Sequence, residues 1–363
     1  MWGWGRGRIR PAFLILAAAV AVVGFAAANA AKTQGKHPFY DRQVEAAEIM
    51  KSSIEAVKRL RLSMGLSIDR QLDPNETGII GEELTGITTS LGTLEAKRTS
   101  ANPAFAALLV RYFTEAGLAP GDVVAVGASG SFPALIIATL SAAKALNLEP
   151  IVIYSIGASM YGATLPELTF ADMLACLNRE GLIPYRLAAV SPGGEGDSGE
   201  GALFKDGRNT LLRIAMRSDA PVICEESVEK SIRRRLEIYR RESRGRPIRC
   251  FVNIGGADPN FGSTMASLSF PNGLVMKGPI LSASPRRGLV SEFAARGVPV
   301  IHLLNIRDLA MKNGIPIDPI PIPPVGEGAV YYVTKYPKGL VWATLAISVI
   351  FLAAGKRKDG YSM

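Results

Sequence analysis

The hydrophobic pattern in the middle of the chain predicts a strand, a tight turn, a helix and a second strand. Residues 123–126 form a short apolar run rich in β-branched side chains, and this run stops at Gly127. An apolar helical run follows over 133–146, and a second apolar strand is predicted over 151–156. Because neither strand alternates apolar with polar residues, we expect both to be buried on two faces, as in a parallel βαβ unit.

The rest of the pattern continues this alternation of helices and strands. Residues 41–64 carry apolar side chains at helical spacing, and Asn102 is placed to cap a further helix. Other predicted helices cover 165–181, 226–243 and 288–297, and other predicted strands cover 185–190, 248–254 and 298–304. This order favours an α/β fold with an open, mostly parallel, Rossmann-like sheet and flanking helices.

Three stretches lack a regular period. Residues 73–100 are rich in hydroxyl side chains, which is typical of either a solvated loop or a lid over a polar site. Residues 191–201, SPGGEGDSGEG, offer no side chain able to build a core, so they predict a mobile surface loop. Residues 316–338 hold closely spaced prolines and predict a stiff spacer and juxtamembrane segment.

Uncharged apolar runs near both ends predict membrane anchors. Residues 12–31 are long enough to cross a bilayer as a helix, and the arginines before them favour a cytoplasmic N-terminus. A cleaved secretory signal is the alternative, because Ala28-Asn29-Ala30 resembles a processing site. Residues 339–354 are a shorter run, preceded by tyrosines and followed by a basic tail, and a buried core helix is the alternative there.

With both anchors in place, the chain divides into a cytoplasmic N-terminus, an external domain and a cytoplasmic tail. The predicted boundaries are 1–11 for the N-terminus, 12–31 for the first transmembrane anchor, 32–315 for the extracytoplasmic α/β domain, 316–338 for the spacer, 339–354 for the second anchor and 355–363 for the tail. The predicted location is therefore the cell membrane, with two transmembrane helices.

Charge and cysteine content argue against several other classes of protein. The formal net charge is +9, but much of it flanks the two apolar runs, so a nucleic-acid partner is not indicated. The cysteines Cys176, Cys224 and Cys250 are too few for a disulfide scaffold and predict buried free thiols. No histidine, cysteine and carboxylate cluster has metal-ligand spacing, and no cofactor motif is present, so the sequence predicts neither a metal nor a cofactor.

Small polar residues follow the predicted strands and define a candidate ligand site. The predicted ligand-binding residues are Gly127, Ser129, Gly130, Ser131, Ser155, Ser159, Asn253, Gly255 and Asn305. Open α/β sheets bind ligands at the carboxyl ends of their strands. Two alternatives remain open, since turns after strands favour the same residue types and the loop 127–131 can be either an anion cradle or a tight turn with a serine cap.

Ser129 is the candidate catalytic nucleophile, although its loop lacks the last glycine of a G-x-S-x-G elbow. A nucleophilic serine needs a base. The chain contains two histidines, and His302 lies inside a predicted strand, where a hydrogen-bonded core histidine is the expected role. A lysine such as Lys97 or Lys144 can serve as the base instead, and the spacing does not select between them.

A basic stretch over 230–249 predicts a different kind of site. Its candidate polyanion-binding residues are Arg233, Arg234, Arg235, Arg240 and Arg241. Arginine guanidinium groups match carboxylates in geometry, so the stretch suits docking of a polyanion. A solvated helix face is the alternative.

Four segments together resemble the poly-gamma-glutamate system protein family of bacteria: TGITTSLGTLEAKRTSANP (85–103), GDVVAVGASGSFPALIIATLSAAKAL (121–146), IYSIGASMYGATLPELTFADM (153–173) and RGVPVIHLLNI (296–306). The resemblance covers most of the region between the anchors, and the anchors themselves. It implies a membrane-anchored accessory component of poly-γ-glutamate synthesis or export that binds the polymer or the membrane subunits of the synthase.

The resemblance implies no catalytic residues, so two alternative functions stay open. One is a hydrolase or transferase acting on the γ-amide bonds of poly-γ-glutamate, with its serine nucleophile in the 127–131 loop. The other is a purely structural subunit of the synthase.

Overall fold

The computed structural model describes residues 9–262, 270–276 and 287–356. The chain divides into two compact units. The first unit is the α/β domain, Pro38–Tyr331, and the second combines the two ends of the chain, Met1–His37 and Tyr332–Met363.

The described chain forms both α-helices and β-strands. The helices are α1 (Pro11–Ala30), α2 (Tyr40–Ser63), α3 (Leu94–Ser100), α4 (Ala104–Glu115), α5 (Pro133–Ala145), α6 (Phe170–Arg179), α7 (Gly207–Arg217), α8 (Val228–Glu242), α9 (Asp258–Phe261), α10 (Leu289–Ala295), α11 (Ile306–Asn313) and α12 (Lys338–Ala354). The strands are β1 (Thr33–Lys36), β2 (Thr88–Ser90), β3 (Val123–Ser129), β4 (Glu149–Ser155), β5 (Ala158–Ser159), β6 (Leu187–Ser191), β7 (Ile248–Ile254), β8 (Gly273–Val275), β9 (Val300–Leu303) and β10 (Tyr332–Lys335).

Six strands of the domain form one sheet in the order β6-β4-β3-β7-β9-β8. Every neighbouring pair is parallel except β8 with β9. Without the antiparallel edge strand β8, the order is that of a doubly wound sheet, whose strand order reverses between β3 and β7. The prediction of an α/β fold with a mostly parallel sheet is confirmed.

The core of the domain lies on both faces of this sheet, because β3 is buried along its whole length. On one face, Val123 and Ala125 share a cluster with Tyr239, Phe251 and Phe293. The rings of Phe251 and Phe293 stack with their centroids 4.6 Å apart. The apolar helix α5 belongs to the opposite face, where α2 and α4 pack on it and bury nearly all of its side chains.

The predicted elements match the observed ones, with shifts at their ends. The strand predicted over 248–254 is β7 without change, whereas the helix predicted over 165–181 begins only at Phe170. The later start has a local cause, because Thr169 and Asp172 form a capping box that fixes the first turn of α6. The short strands β2, β5 and β8 were not predicted, since two or three residues give no readable period.

The proline-rich segment contacts other parts of the described chain. Asp318 pairs with the guanidinium of Arg98, its backbone N–H donates to Thr99 Oγ1 at 2.9 Å, and Asn75 Nδ2 donates to the carbonyl of Pro319 at 2.8 Å. Residues 316–331 are therefore part of the compact domain, which extends to Tyr331. Within the predicted spacer, the backbone of Asp318 and Pro319 is thus hydrogen-bonded to Thr99 in α3 and to Asn75.

The prediction of three buried free thiols is confirmed in part. All three are free thiols; Cys176 and Cys250 are buried, but Cys224 is exposed. Cys224 follows the buried Ile223 in an irregular segment before α8. The expectation of three buried thiols was therefore wrong for Cys224.

The two chain ends form an antiparallel pair. Strand β1 pairs with β10 in antiparallel register, and the helices α1 and α12 pack on each other. Gly24 lies directly against Thr344, and the Ser348 hydroxyl donates to the Ala17 carbonyl at 3.4 Å. Small residues at such contacts allow two helices to approach closely, as in membrane helix pairs.

The length of the two apolar helices differs. Among the described helices, α1 alone is both long and apolar enough to cross a membrane. Helix α12 has 17 residues, which is at the lower limit for a span of the hydrocarbon core. The structure therefore supports one candidate membrane helix, the anchor predicted over 12–31.

Candidate functional site

A cavity of about 840 Å³ opens at the carboxyl ends of the parallel strands. Residues that end or follow five of these strands line it: Ser129, Ser155, Gly193, Gly256 and Leu304. The cavity thus lies above β3 and β7, where the strand order reverses and doubly wound sheets bind ligands. Residues 89–93 and 95–97 form another part of its wall, so the segment predicted as a loop or a lid borders a polar cavity.

The predicted ligand-binding residues fall into two groups. Those that line the cavity are Ser129, Ser131, Ser155, Ser159 and Asn305, and those that do not are Gly127, Gly130, Asn253 and Gly255. Gly127 and Gly130 are close-packed under the loop: a Cβ on Gly127 would lie 2.5 Å from Asn260 Oδ1, and one on Gly130 would overlap the carbonyl of Ile156. These glycines therefore shape the turn without contacting the cavity.

Asn253 and His302 form a buried pair beneath the site. Asn253 Nδ2 lies 3.0 Å from His302 Nδ1 and donates to the carbonyl of Gly255 at 3.0 Å. Burial lowers the pKa of His302 to about 4, because the charged imidazolium is poorly solvated there. The expectation of a core histidine is confirmed, since His302 is buried and does not line the cavity.

Lys97 is the principal charged group at the edge of the cavity. Its side chain is buried, and its Nζ lies 3.9 Å from the ring centroid of Phe132. The Nζ donates to the carbonyl of Ser131 and to Ser159 Oγ, the latter at 2.6 Å. Lys97 has no salt bridge to any residue that the structure describes. Burial alone lowers the pKa of Lys97 to about 7.

Ser159 reaches Lys97 because of two short strands. Ser159 ends β5, and β5 pairs in parallel with β2, a few residues before α3 and Lys97. The backbone N–H of Ser159 donates to Ser131 Oγ at 3.0 Å, which ties the two serine loops together. A Cβ on Gly92 would lie 3.0 Å from Ser159 Oγ, so this glycine lets the backbone approach the hydroxyl closely.

Ser129, the predicted nucleophile, lies in the turn after β3. Its Oγ accepts a hydrogen bond from the N–H of Ser131 at 3.3 Å, so the side chain closes the turn after β3. Gly255 lies directly against the same oxygen. The lysine contact goes to Ser159, and Lys144 donates to the carbonyls of Gly181 and Leu182, away from the cavity. Among the described serines that line the cavity, Ser159 is the one whose hydroxyl contacts a lysine amine.

A buried ion pair supports the glycine-rich wall of the cavity. Arg235 Nη2 and Asp197 Oδ2 lie 2.8 Å apart, with both side chains almost wholly inaccessible. Ser191 Oγ donates to Asp197 Oδ1 at 2.6 Å, Ser231 Oγ donates to Asp197 Oδ2 at 2.7 Å, and Arg235 Nη2 donates to Ser155 Oγ at 3.0 Å. The carboxylate is thus satisfied on both oxygens by groups from two elements, β6 and α8.

This network corrects two predictions. Residues 191–201 were predicted to be a mobile surface loop, but Asp197 is buried and fastens the loop to α8. Arg235 was predicted to bind a polyanion, but its side chain is inaccessible, because it lies on the apolar face of α8 with Ile232 and Tyr239. Ile232, Arg235 and Tyr239 follow one another at helical spacing. This pattern is the signal in the sequence that could have identified Arg235 as buried.

Three acidic residues of the cavity wall were not predicted. Glu195 lies in the glycine-rich loop, Asp258 follows β7, and Glu95 pairs with Arg307 at 3.0 Å. Asp258 accepts from the N–H of Gly196 at 2.7 Å, and burial together with the nearby carboxylates raises its pKa. The cavity wall therefore carries both signs of charge, and its most buried charged side chain is the weakly basic Lys97.

The remaining arginines of α8 lie on the surface. Arg233, Arg234, Arg240 and Arg241 are exposed. Arg234 pairs with Glu237 and Arg241 pairs with Glu242. Neither Arg233 nor Arg240 forms a salt bridge with a described residue.

Within the described ranges, no three or more histidine, cysteine or acidic side chains converge as a metal site would require. The fold and the cavity define an α/β domain with a hydroxyl-lined site at the switch point of its sheet. No family model, curated protein or solved structure matches this chain.

Proposed function

We propose that Ser159 and Lys97 are the nucleophile and general base of an amide-bond hydrolase or acyl transferase. The observation that carries the proposal is the 2.6 Å contact between Lys97 Nζ and Ser159 Oγ at the edge of the cavity. A serine becomes a nucleophile when an adjacent base accepts its proton. Lys97 can be that base near neutral pH, because burial lowers its pKa to about 7.

The proposed reaction follows from the hydrogen bonds of Lys97. In the neutral amine, one N–H stays on the Ser131 carbonyl, and the lone pair accepts the Ser159 proton. The Ser159 oxygen then bonds to the substrate carbonyl carbon. When the carbon–nitrogen bond breaks, the lysine ammonium gives its proton to the leaving amine, and an ester on Ser159 remains. Water or a second amine attacks this ester, and Lys97 takes a proton from the attacking group and returns one to Ser159.

We assign poly-γ-glutamate as the substrate class, because the chain resembles the poly-gamma-glutamate system protein family in the four segments quoted above. Those segments include Lys97 (85–103) and Ser159 (153–173). The cavity of about 840 Å³ has room for part of a polymer chain. In this proposal, the protein is a membrane-anchored component of the machinery that makes or exports the polymer.

The proposed topology places both α1 and α12 across the membrane and the α/β domain outside the cytoplasm. The antiparallel pairing of the two helices supports it, as do the large apolar side chains on their surfaces, such as Phe25 at 74% exposed and Trp342 at 67%. Protease added to spheroplasts is expected to cut exposed loops of the domain. Protection there, with cleavage in inverted vesicles, would reject this topology.

The chemistry is tested with the full-length protein in detergent micelles. We expect it to shorten poly-γ-glutamate or to transfer its fragments to an added amine, with the products sized by chromatography. Ser159→Ala is expected to abolish the reaction. The matched control, Ser129→Ala, removes a serine that lines the same cavity but does not contact Lys97, and it is expected to retain activity. Loss of activity in Ser129→Ala alone would return the nucleophile to Ser129.

A second candidate function is a non-catalytic accessory protein that binds the polymer or the synthase. The exposed Arg233 and Arg240 favour it, because they form no salt bridges with described residues and suit carboxylates. Retention on immobilised poly-γ-glutamate without any Ser159-dependent product would select this function. If the protein neither binds nor cleaves the polymer but copurifies with membrane subunits of the synthase, it is a structural subunit.

A further inference from the structure

A second concave site lies at the opposite edge of the sheet from the cavity. It is a groove of about 470 Å³ between α8, α10 and the beginning of β7. Ile248 is the first residue of β7, whereas the cavity opens above the last residues of the parallel strands. The groove and the cavity are therefore separate sites on the same domain.

The floor of the groove is apolar. Leu236 and Ile248 are half-buried, Val298 is half-buried, and the ring of Phe293 lies inside the core. These side chains come from α8, from β7, from α10 and from the turn that follows α10. A half-exposed apolar floor offers contact to the methylene groups of a ligand, and burial of both surfaces is favoured by the hydrophobic effect.

Guanidinium groups surround this floor. Arg233 and Arg240 come from α8, Arg246 follows that helix, and Arg296 ends α10. Arg246 is held by Glu149, and Arg296 lies 3.4 Å from Glu292, whereas Arg233 and Arg240 have no salt bridge among the described residues. Arg233 and Arg240 are seven residues apart, which is two helical turns, so they project from one face of α8.

The acidic residues nearby limit the kind of anion that fits. Glu237 lines the groove and pairs with Arg234. A nucleic acid carries dense phosphate charge and no flexible methylene segments, so neither the apolar floor nor the acidic rim suits it. A flexible chain with carboxylates spaced on aliphatic segments matches both the apolar floor and the two free arginines.

We infer that this groove is a docking site for an extended polycarboxylate chain, with Arg233 and Arg240 as its carboxylate-binding residues. The inference deepens the polymer-binding function proposed above, and it does not depend on the chemistry of Ser159. It assigns the docking to a groove at the amino-terminal edge of the sheet, so that a long polymer contacts the domain at a second point, away from the cavity.

The test compares two double variants of the same helix in full-length protein in zwitterionic nanodiscs. Arg233→Gln with Arg240→Gln removes the two free arginines of the groove. Lys230→Gln with Arg241→Gln makes the same change of charge at exposed residues of α8 that pair with Glu226 and Glu242, and none of these four residues lines the groove. The probe is fluorescent poly-γ-glutamate, and the readout is its Kd at low salt.

We expect the groove variant to weaken binding about tenfold or more, because two charge-assisted contacts are lost. The control variant is expected to change Kd less than threefold, and Leu236→Ser, which alters the floor, to weaken binding measurably. The readout is binding alone, so a failure of the catalytic proposal does not affect this result.

Three outcomes would overturn the inference. Equal weakening in the two double variants would mean that overall charge alone attracts the polymer. Tighter binding of duplex DNA than of poly-γ-glutamate would identify a different class of ligand. Absence of measurable polymer binding by the wild-type protein at low salt would remove the site.

Discussion

The amine of Lys97 lies 2.6 Å from the hydroxyl oxygen of Ser159, although 62 positions separate the two residues in the chain. The parallel pairing of β2 with β5 produces this contact, because it brings the segment before α3 beside the loop after β4. Both side chains are buried and border the cavity. A buried lysine without a carboxylate partner is costly when charged, so its amine is held close to the neutral form that a base requires.

The burial of Lys97 predicts a specific dependence of stability on pH. The pKa of Lys97 is about 7 in the folded protein and about 10.4 in an unfolded chain. Between these values the unfolded state binds more protons, so the free energy of unfolding rises as the pH rises. From pH 7 to pH 9 we expect this single group to add on the order of 2 kcal/mol.

Urea denaturation of the full-length protein in detergent, followed by circular dichroism, measures this rise. Lys97→Met is the comparison, and we expect its free energy of unfolding to lack the increase, so that the two proteins converge or cross at high pH. Tyrosines and the other lysines are common to both proteins and cancel in the difference. An identical pH dependence in both proteins would show that the charge on Lys97 does not destabilise the folded protein.

The Arg235–Asp197 pair predicts an unequal effect of two neighbouring arginines on stability. Arg235→Met leaves the Asp197 carboxylate buried without its cation, which is expected to cost about 3–5 kcal/mol. Arg234→Met, one residue earlier on the exposed face of α8, is expected to change the free energy of unfolding by less than about 0.5 kcal/mol. The measurement is again urea denaturation.

A second substitution sharpens this prediction. Asp197 has φ of 63°, a conformation that asparagine also tolerates, so Asp197→Asn removes the charge without straining the backbone. Added to Arg235→Met, it is expected to recover part of the lost stability. No recovery in the double variant would mean that the loss came from packing and not from an unpaired charge.

Two glycines of the cavity loops are predicted to differ in their tolerance of a methyl group. A Cβ on Gly130 would overlap the carbonyl oxygen of Ile156, a backbone atom that cannot move aside, whereas the nearest atom to a Cβ on Gly256 is 3.9 Å away. Gly130→Ala is expected to destabilise the domain by about 1–3 kcal/mol, the range for overpacking, and Gly256→Ala to be close to neutral. Similar thermal unfolding of both variants would contradict the packing described for the loop after β3.

The sequence predicted the centre of the fold well because its signals are local. The continuous apolar runs around Gly127 predicted β3, α5 and β4. The small polar residues after the predicted strands identified five residues that line the cavity. Burial on two faces leaves such a pattern in any parallel sheet.

The sequence could not predict contacts that join distant segments. Ser159 was expected to bind a ligand, but its contact with Lys97 depends on the pairing of two strands that are too short to show a period. Arg235 was grouped with its charged neighbours, because its partner Asp197 lies 38 positions earlier, in a loop that looks exposed by composition. Such pairings are fixed by the tertiary fold and not by local propensity.

The most direct test of the central claim is the rate at which a fluorophosphonate probe modifies Ser159 as a function of pH, with the modified residue identified by mass spectrometry. The account predicts that labelling of the full-length protein rises with pH around a midpoint near 7, as Lys97 loses its proton, and that Lys97→Met abolishes labelling while Lys144→Met does not. Labelling of Ser129 in place of Ser159, or labelling of Lys97→Met at the wild-type rate, would contradict it.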